Sequence, residues 1–390
     1  MKLTKLSKKN IADTYDNLFV PYKRLTCASK KCILEIQAHI CDGRKVIKKL
    51  FKQNQINVNS RTISIVADLP KPINFQFIPR TIQHTIEIES REIVEISTVM
   101  NDKHIHIYFI ENKRNTKENY KDCATNMLNW LFVAEKYASK QCSRSLFIYV
   151  YMTDLKKTKP LPGQTITPLN VNTGLTTSCP VDAEIVIFRK EEWFKVFIHE
   201  TFHSFGLDFS GFDTTKCDKH LREFFHTNIQ FNAFEAYTEM WAEIVNAIFC
   251  SNSFKLENID HFINIFEKCL NVERQHSFTQ MVNILDHMSL RYKQLIKNAG
   301  DSNYKKEQTS IFAYFILKTI LMYDFNLFLS WCNKKNKRLL MFDNEDENVQ
   351  SFCHLFGLVH RTPGFLKIVK FVEDRHHYSD ELRMTVCELS

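Results

Sequence analysis

Between Lys190 and Phe209 the chain reads KEEWFKVFIHETFHSFGLDF, and this stretch constrains the fold more than any other. Acidic residues open it, apolar residues recur at helical period, and Gly206 stands where a C-terminal cap is wanted, so a helix from about Lys190 to Phe205 is expected. Trp193, Phe194, Val196, Phe197, Ile198 and Phe202 fall on almost every side of it. A helix that is apolar all round belongs in the interior. The same helix carries His199, Glu200 and His203, so three polar side chains enter the core together, and each would cost roughly 1–3 kcal/mol if left unpaired. The fold therefore has to supply their partners.

The rest of the chain reads as an α+β protein. Residues 1–60 look mostly helical and basic. From Thr62, TISIVADL, HTIEIES, REIVEIST and HIHIYFI alternate at period two and suggest strands of an antiparallel or mixed sheet. A helix is expected at about Asn119–Ser139, buried strands at Arg144–Thr153 and Ala183–Phe188, and a long surface connection from Lys156 to Cys179. A second buried helix is expected over Asn232–Cys250. Helical segments with short polar breaks then run to the end. These shifts in periodicity divide the chain into a basic N-terminal region (1–80), a central α+β region (81–250) and a largely helical lobe (251–390). At 390 residues, two to three packed units fit the length.

Composition removes several function classes. With only 8 glycines, no phosphate-cradling Gly-rich loop can be read anywhere. The 12 cysteines are spread without the dense spacing of a disulfide scaffold, so reduced thiols are expected. The basic start MKLTKLSKKN is followed by no apolar run of signal-peptide length, and Ile311–Trp331 is interrupted by Lys318, Asp324 and Asn326. An intracellular, cytoplasmic protein with no membrane span is the expectation. The net charge of +8 is concentrated before residue 55, which leaves nucleic-acid binding possible through the N-terminal region, although a solvated lysine-rich surface accounts for it as well.

His199-Glu200-Thr201-Phe202-His203 matches H-E-x-x-H. Histidines at i and i+4 share one helical face, which suits two nitrogen ligands of a tetrahedral Zn2+, and Glu200 beside them can move a proton between water and a leaving amine. A catalytic zinc needs a third protein ligand. The downstream HSFGLDF resembles the metzincin pattern, but its third-ligand position holds Phe209, and Asp208 is one residue out of phase. The second buried helix offers Glu235, Glu239 and Glu243, spaced by four on one face amid Phe234, Trp241, Ala242, Ile244 and Val245.

H-E-x-x-H followed some tens of residues later by a glutamate on a second helix resembles the gluzincin group of zincin zinc metallopeptidases. Thr238-Glu239-Met240-Trp241-Ala242-Glu243 is similar to the E-x-[FW]-A-E stretch of several of them, which implies Glu239 as ligand and Glu243 behind it. A rival alignment reads Glu235-Ala236-Tyr237-Thr238-Glu239 like thermolysin-type enzymes, with Glu235 the ligand and Glu239 orienting a histidine. The strand and helix order from His104 to Phe205 is similar to that of a zincin upper subdomain, which implies a zincin-like mixed sheet with the active-site helix against it. It also implies an edge strand near Asn172–Thr177 for an extended polypeptide substrate, and a helical lobe that completes the cleft. The Lys-, Asn-, Ile- and Phe-rich composition also resembles metallopeptidase-like proteins of large cytoplasmic DNA viruses. Such peptidases use a polar donor for the transition-state oxyanion, for which Tyr237, His276 and Tyr314 are candidates. The resulting expectation is a zinc metallopeptidase. The alternatives are a zincin-fold structural or binding protein, for example a virion component that keeps zinc without turnover, and a basic nucleic-acid-binding protein with incidental histidines.

Overall fold

Period-two stretches rich in Ile, Val and aromatics build a six-stranded mixed sheet in the order β1-β2-β3-β4-β6-β5. Its strands are β1 (Ile56–Thr62), β2 (Glu92–Met100), β3 (Lys103–Glu111), β4 (Ser145–Tyr151), β5 (Gly174–Leu175) and β6 (Asp182–Ile187). β3, β4 and β6 are parallel; β1, β2 and β5 run antiparallel to their neighbours. The computed structural model describes residues 1–111, 120–297, 304, 307–375 and 379–389, and the protein is of the α+β class. The first residue of the expected Asn119–Ser139 helix lies outside the described residues.

Both sheet faces are covered, so the strands carry apolar residues on both sides. One face sends Ile105, Ile107, Phe109, Ile148, Val150, Ile185 and Ile187 into the main core. The other sends Ile93, Ile110, Tyr149, Tyr151, Val186 and Phe188 against Ile63 to Ile86. Register pairs stack across parallel strands: Tyr108 lies over Tyr149 with ring centroids 5.2 Å apart, and His106 over Phe147 at 4.9 Å.

Helices α1 (Lys5–Asp16) and α2 (Cys27–Lys52) precede the sheet, each capped by a threonine whose side chain accepts a backbone N–H, Thr4 and Thr26. α2 turns Ile33, Ile36, Ile40 and Ile47 inward and leaves Lys45, Lys48, Lys49 and Lys52 in solvent. The expected strand at HTIEIES is instead part of α3 (Arg80–Glu89). Ile82 and Ile86, four apart, are both buried against the sheet, whereas Ile88, which strand alternation would bury beside Ile86, is 52% exposed. TISIVADL is likewise no strand: Thr62 ends β1, and Val66–Asp68 forms a single 3-10 turn. The connection after β4 is not a surface loop throughout, because Lys157, Ile166, Val171 and Thr173 are buried around the short α5 (Pro168–Val171).

α4 (Tyr120–Glu135) connects β3 to β4, and α6 (Trp193–Ser204) follows β6. α7 (Thr215–Phe224), α8 (Ala233–Ser251), α9 (Ile259–His287), α10 (Tyr292–Leu295), α11 (Lys318–Tyr323), α12 (Phe325–Lys335), α13 (Asp346–Val359) and α14 (Pro363–Arg375) complete the helical part. A π-helical turn over Phe312–Leu317 leads into α11. That turn with α11, together with α12, has the length and composition of a membrane span but bends by 91°; no single helix among the described residues is long and apolar enough to cross a membrane. Residues of all three sequence regions, from Leu3 to Leu389, share one core.

Two structural ties were not readable from spacing. Cys142 is bonded to Cys179 and Cys217 to Cys353, which corrects the expectation of twelve reduced thiols. Sequence separations of 37 and 136 residues hide these pairs; Cα distances of 4.7 and 5.8 Å, decided by the packing, allow them. The second tie is the segment 379–389, an extended strap whose residues from Leu382 to Cys387 are all buried. Buried carboxylates take the place of a neighbouring strand. Glu273 accepts from Val386 N at 3.0 Å, Cys387 N at 2.8 Å and Thr385 Oγ1 at 2.7 Å. Glu192 accepts from Met384 N at 2.7 Å and Thr385 N at 2.6 Å, while its own N–H donates to Glu388 Oε1 at 2.6 Å.

Thiol titration of the denatured, unreduced protein is expected to count eight cysteines rather than twelve. Glu273→Ala strands three buried donors at roughly 1–3 kcal/mol each. Urea unfolding is expected to show a loss of about 3 kcal/mol or more, and a loss below about 1 kcal/mol would refute the clasp.

Candidate metal centre

α6 lies between the sheet and α8 with every one of its residues buried. It begins at Glu192, which holds a left-handed backbone at φ 59° and pairs through its carboxylate with buried Lys157 Nζ at 2.6 Å. It ends at Phe205, followed by Gly206 at φ 62°, where a side chain would be strained and would crowd the Cys142–Cys179 bond.

His199 and His203, one turn apart on α6, turn their Nε2 atoms toward each other at 3.1 Å. Glu235 of α8 brings Oε2 to 3.1 Å from His199 Nε2 and 3.3 Å from His203 Nε2. The opposite ring edges are held by two other carboxylates. His199 Nδ1 is 2.9 Å from Glu239 Oε2, and His203 Nδ1 bonds to Asp208 Oδ2. With each Nδ1–H donated to a carboxylate, the tautomer inferred from these partners leaves a lone pair on each Nε2. Two nitrogen lone pairs and a carboxylate oxygen then face one small volume, and only a cation makes that arrangement favourable. His199, His203 and Glu235 form a buried group that could hold a metal ion.

The triangle also has the right size. Ligands at 2.0–2.1 Å in a tetrahedron are about 3.3–3.4 Å apart. Without a metal, protons are the competing cations. Burial alone would depress both imidazoles, but the Glu235 and Glu239 carboxylates raise His199, and Asp208 and Glu235 hold His203 well above its ordinary value. Burial likewise pushes Glu235 upward, yet the two imidazoles dominate and bring it down to about 2, so it is ionised.

The preferred alignment is therefore corrected. Glu235 joins the histidine nitrogens, and Glu239, one turn further along α8, orients His199 from behind. Glu239 also pairs with Lys195, so both its oxygens are engaged. Glu243 does not reach either histidine; it lies deeper, 3.4 Å from Lys318 Nζ, where burial and the nearby Glu273 push it up to about 8. Two candidate oxyanion donors are also displaced. Tyr237 is wholly buried among Phe209, Phe342 and Phe352, and its hydroxyl donates to Leu340 O at 3.0 Å. His276 Nε2 lies 2.9 Å from Arg383 O of the strap. Tyr314, on the π-helical turn, does line the site, its ring 6.0 Å from that of His199. π-turns inside helices recur at functional sites because they re-aim single side chains.

Glu200 faces a cavity of about 40 Å³ shared with Gly174, Lys195, His199, Tyr314 and Met384. Since a water needs roughly 10–15 Å³, the cavity has room for a few water molecules. Burial raises the Glu200 carboxyl, and Glu235 and Glu239 push the same way against the two histidines. β5, the expected edge strand, lies against it. A Cβ on Gly174 would come within 3.0 Å of Glu200 Oε1 and 2.9 Å of Val196 Cγ1, so this close approach requires glycine.

Three contributors escaped the sequence reading. Asp208 is out of phase as a ligand in the sequence, but a carboxylate five residues after His203 can fold back past Gly206 to the ring. It is itself fixed by Ser210 N at 3.1 Å, Ser210 Oγ at 2.8 Å and Thr238 Oγ1 at 3.3 Å. Lys195 could have been flagged, since it precedes His199 by one turn on the same face. Met384 carried no signal, standing 189 residues from Lys195, whose Nζ is 3.9 Å from its sulfur.

The two glutamates separate experimentally. Glu235→Ala is expected to lose stoichiometric divalent metal in equilibrium dialysis, whereas Glu239→Gln should retain it with about 10–100-fold weaker affinity. The reverse ranking would restore the other alignment. No family model, no curated protein and no solved structure matches the chain.

Proposed function

We propose that the protein is a zinc-dependent peptidase whose ligands are His199, His203 and Glu235 and whose general base is Glu200. The observation that carries this reading is the triangle of two imidazole nitrogens and one carboxylate oxygen with a buried, unligated carboxylate on the residue next to the first histidine. Nitrogen and oxygen donors at these separations favour zinc, and three protein ligands leave one position for chemistry. A zinc ion held there supplies Lewis acidity toward a carbonyl oxygen and acidifies water.

Glu200 removes a proton from the attacking water and returns it to the amine nitrogen as the C–N bond breaks, so the carboxyl ends the cycle as it began. Its upward shift suits the task, because a base too acidic would hold the proton poorly. Tyr314 is the donor best situated to stabilise the developing oxyanion. β5 is an edge strand of the sheet, the position at which an extended polypeptide adds as a further strand.

One observation favours a second reading. The free space beside the metal group, about 40 Å³ for water-sized groups, is small, which suits a protein that keeps its metal as a structural tie and does not turn over. The two readings separate on purified protein. The peptidase reading expects about one zinc per chain by elemental analysis and hydrolysis of a peptide library that a chelator stops and zinc restores. Glu200→Gln should keep the zinc and lose roughly 10²–10⁴-fold in rate, the share a general base supplies. Full zinc occupancy without hydrolysis, and a large fall in melting temperature on chelation, would establish the structural tie. An active Glu200→Gln protein would eliminate Glu200 as the base.

A further inference from the structure

Two glutamates on α8 compete for one metal. Glu235 and Glu239 are one turn apart, and both already touch His199, the first at Nε2 and the second at Nδ1. Glu239 is buried and Glu235 is half-buried, with 14% of its side chain exposed, and as carboxylates they do not differ in intrinsic affinity for a cation. Something outside α8 has to decide which carboxylate is left for the ion.

Lys195 occupies the position where that decision can be made. It lies one turn before His199 on the same face of α6, is buried with 2% of its side chain exposed, and directs Nζ onto Glu239 Oε1. Among the described residues Nζ also lies 3.9 Å from the Met384 sulfur, a weak acceptor. An ammonium taken out of water in this way is costly unless a carboxylate neutralises it, so the pair is mutually obligatory. With Oε1 on Lys195 and Oε2 on His199 Nδ1, Glu239 has neither oxygen to spare. Glu235 carries no such restraint: its hydrogen-bond partners are the two Nε2 atoms.

We propose, resting on the metal-site reading above, that Lys195 is a positioning residue that holds Glu239 as the acceptor for His199 Nδ1–H and so reserves the metal for Glu235. Lys195 acts through Glu239 and touches no ligand atom. Removing its charge releases Glu239 Oε1, loosens the grip on Nδ1 and sets two carboxylates in competition for the ion.

The test uses the full-length chain with Zn2+ and Co2+ alone as probes. Zinc affinity is measured by competition with a chromophoric chelator, and the visible absorption of the cobalt-substituted protein reports the ligand set. Lys195→Met is expected to weaken zinc binding about 10–100-fold, the range for a residue behind a ligand histidine, and to change the cobalt spectrum. Lys195→Arg, which keeps the charge, is expected to restore both. In a Glu239→Gln background, Lys195→Met is expected to cost nothing further, because the route through Glu239 is already cut. Wild-type affinity and spectrum in Lys195→Met, or the same loss in both backgrounds, would overturn the proposal. If Lys195→Met alone does not fold by circular dichroism, the double variant, which leaves no unpaired buried charge, is compared with Glu239→Gln. Equal affinities then support the proposal, and a further loss refutes it. A wild-type chain that binds zinc but cleaves nothing would refute the peptidase reading and leave this one standing, whereas a wild-type chain that binds neither metal refutes both.

Discussion

Asp208, Glu239 and Glu200 are buried, and Glu235 half-buried, with two imidazoles in the narrow space between α6 and α8, and keeping those charges largely out of water organises what surrounds them. Each carboxylate needs a cation or a donor. Asp208 has His203, Ser210 and Thr238; Glu239 has His199 and Lys195; Glu235, among the described residues, has the two ring nitrogens. Removing one partner from such a set is far more damaging than the net worth of any single pair, since the other member stays buried and uncompensated. This is why the electrostatics reach well beyond the histidines, through Lys157–Glu192 at the start of α6 and Lys318–Glu243 further along α8.

The same logic explains the strap. Between its backbone bridges to Thr158 and Leu3 the strap would leave buried N–H groups without acceptors, and Glu192 and Glu273 supply them. Glu192 serves the strap, Lys157 and the first turn of α6 at once, which keeps a non-glycine residue in a left-handed conformation. Met384 thereby becomes a wall of the cavity, and α6 and the strap are fastened by reciprocal bonds. A position near residue 384 thus belongs to the same local structure as one near residue 195.

Much of the frame was legible from periodicity. β2, β3, β4 and β6, α4, α6 and α8 all lie where alternation or helical spacing indicated, and the short edge strand at Gly174 lies where the zincin resemblance implied one. The failures share a cause. HTIEIES alternates convincingly, but Ile82 upstream completes a spacing of four with Ile86, and the sheet face it covers chooses the helix. The carboxylates of α8 were visible as a set, yet their roles depend on which turn faces α6, and that is an inter-helix angle rather than a spacing. Tyr237 and His276 are chemically suited to an active site but point into the aromatic core and at the strap.

By itself the sequence determined that an apolar helix must bury His199, Glu200 and His203, because apolar side chains surround it and unpaired polar groups cannot remain in a core. It determined also that α8 carries acids able to meet them. Only the tertiary structure decided that Glu235 completes the group, that Glu239 and Asp208 orient the rings, and that residues near 384 close the cavity. Those assignments rest on differences of about an ångström in the separation of elements far apart in the chain, and electrostatic and hydrogen-bond energies change steeply over such a difference, whereas sequence spacing fixes geometry only within one helix or strand.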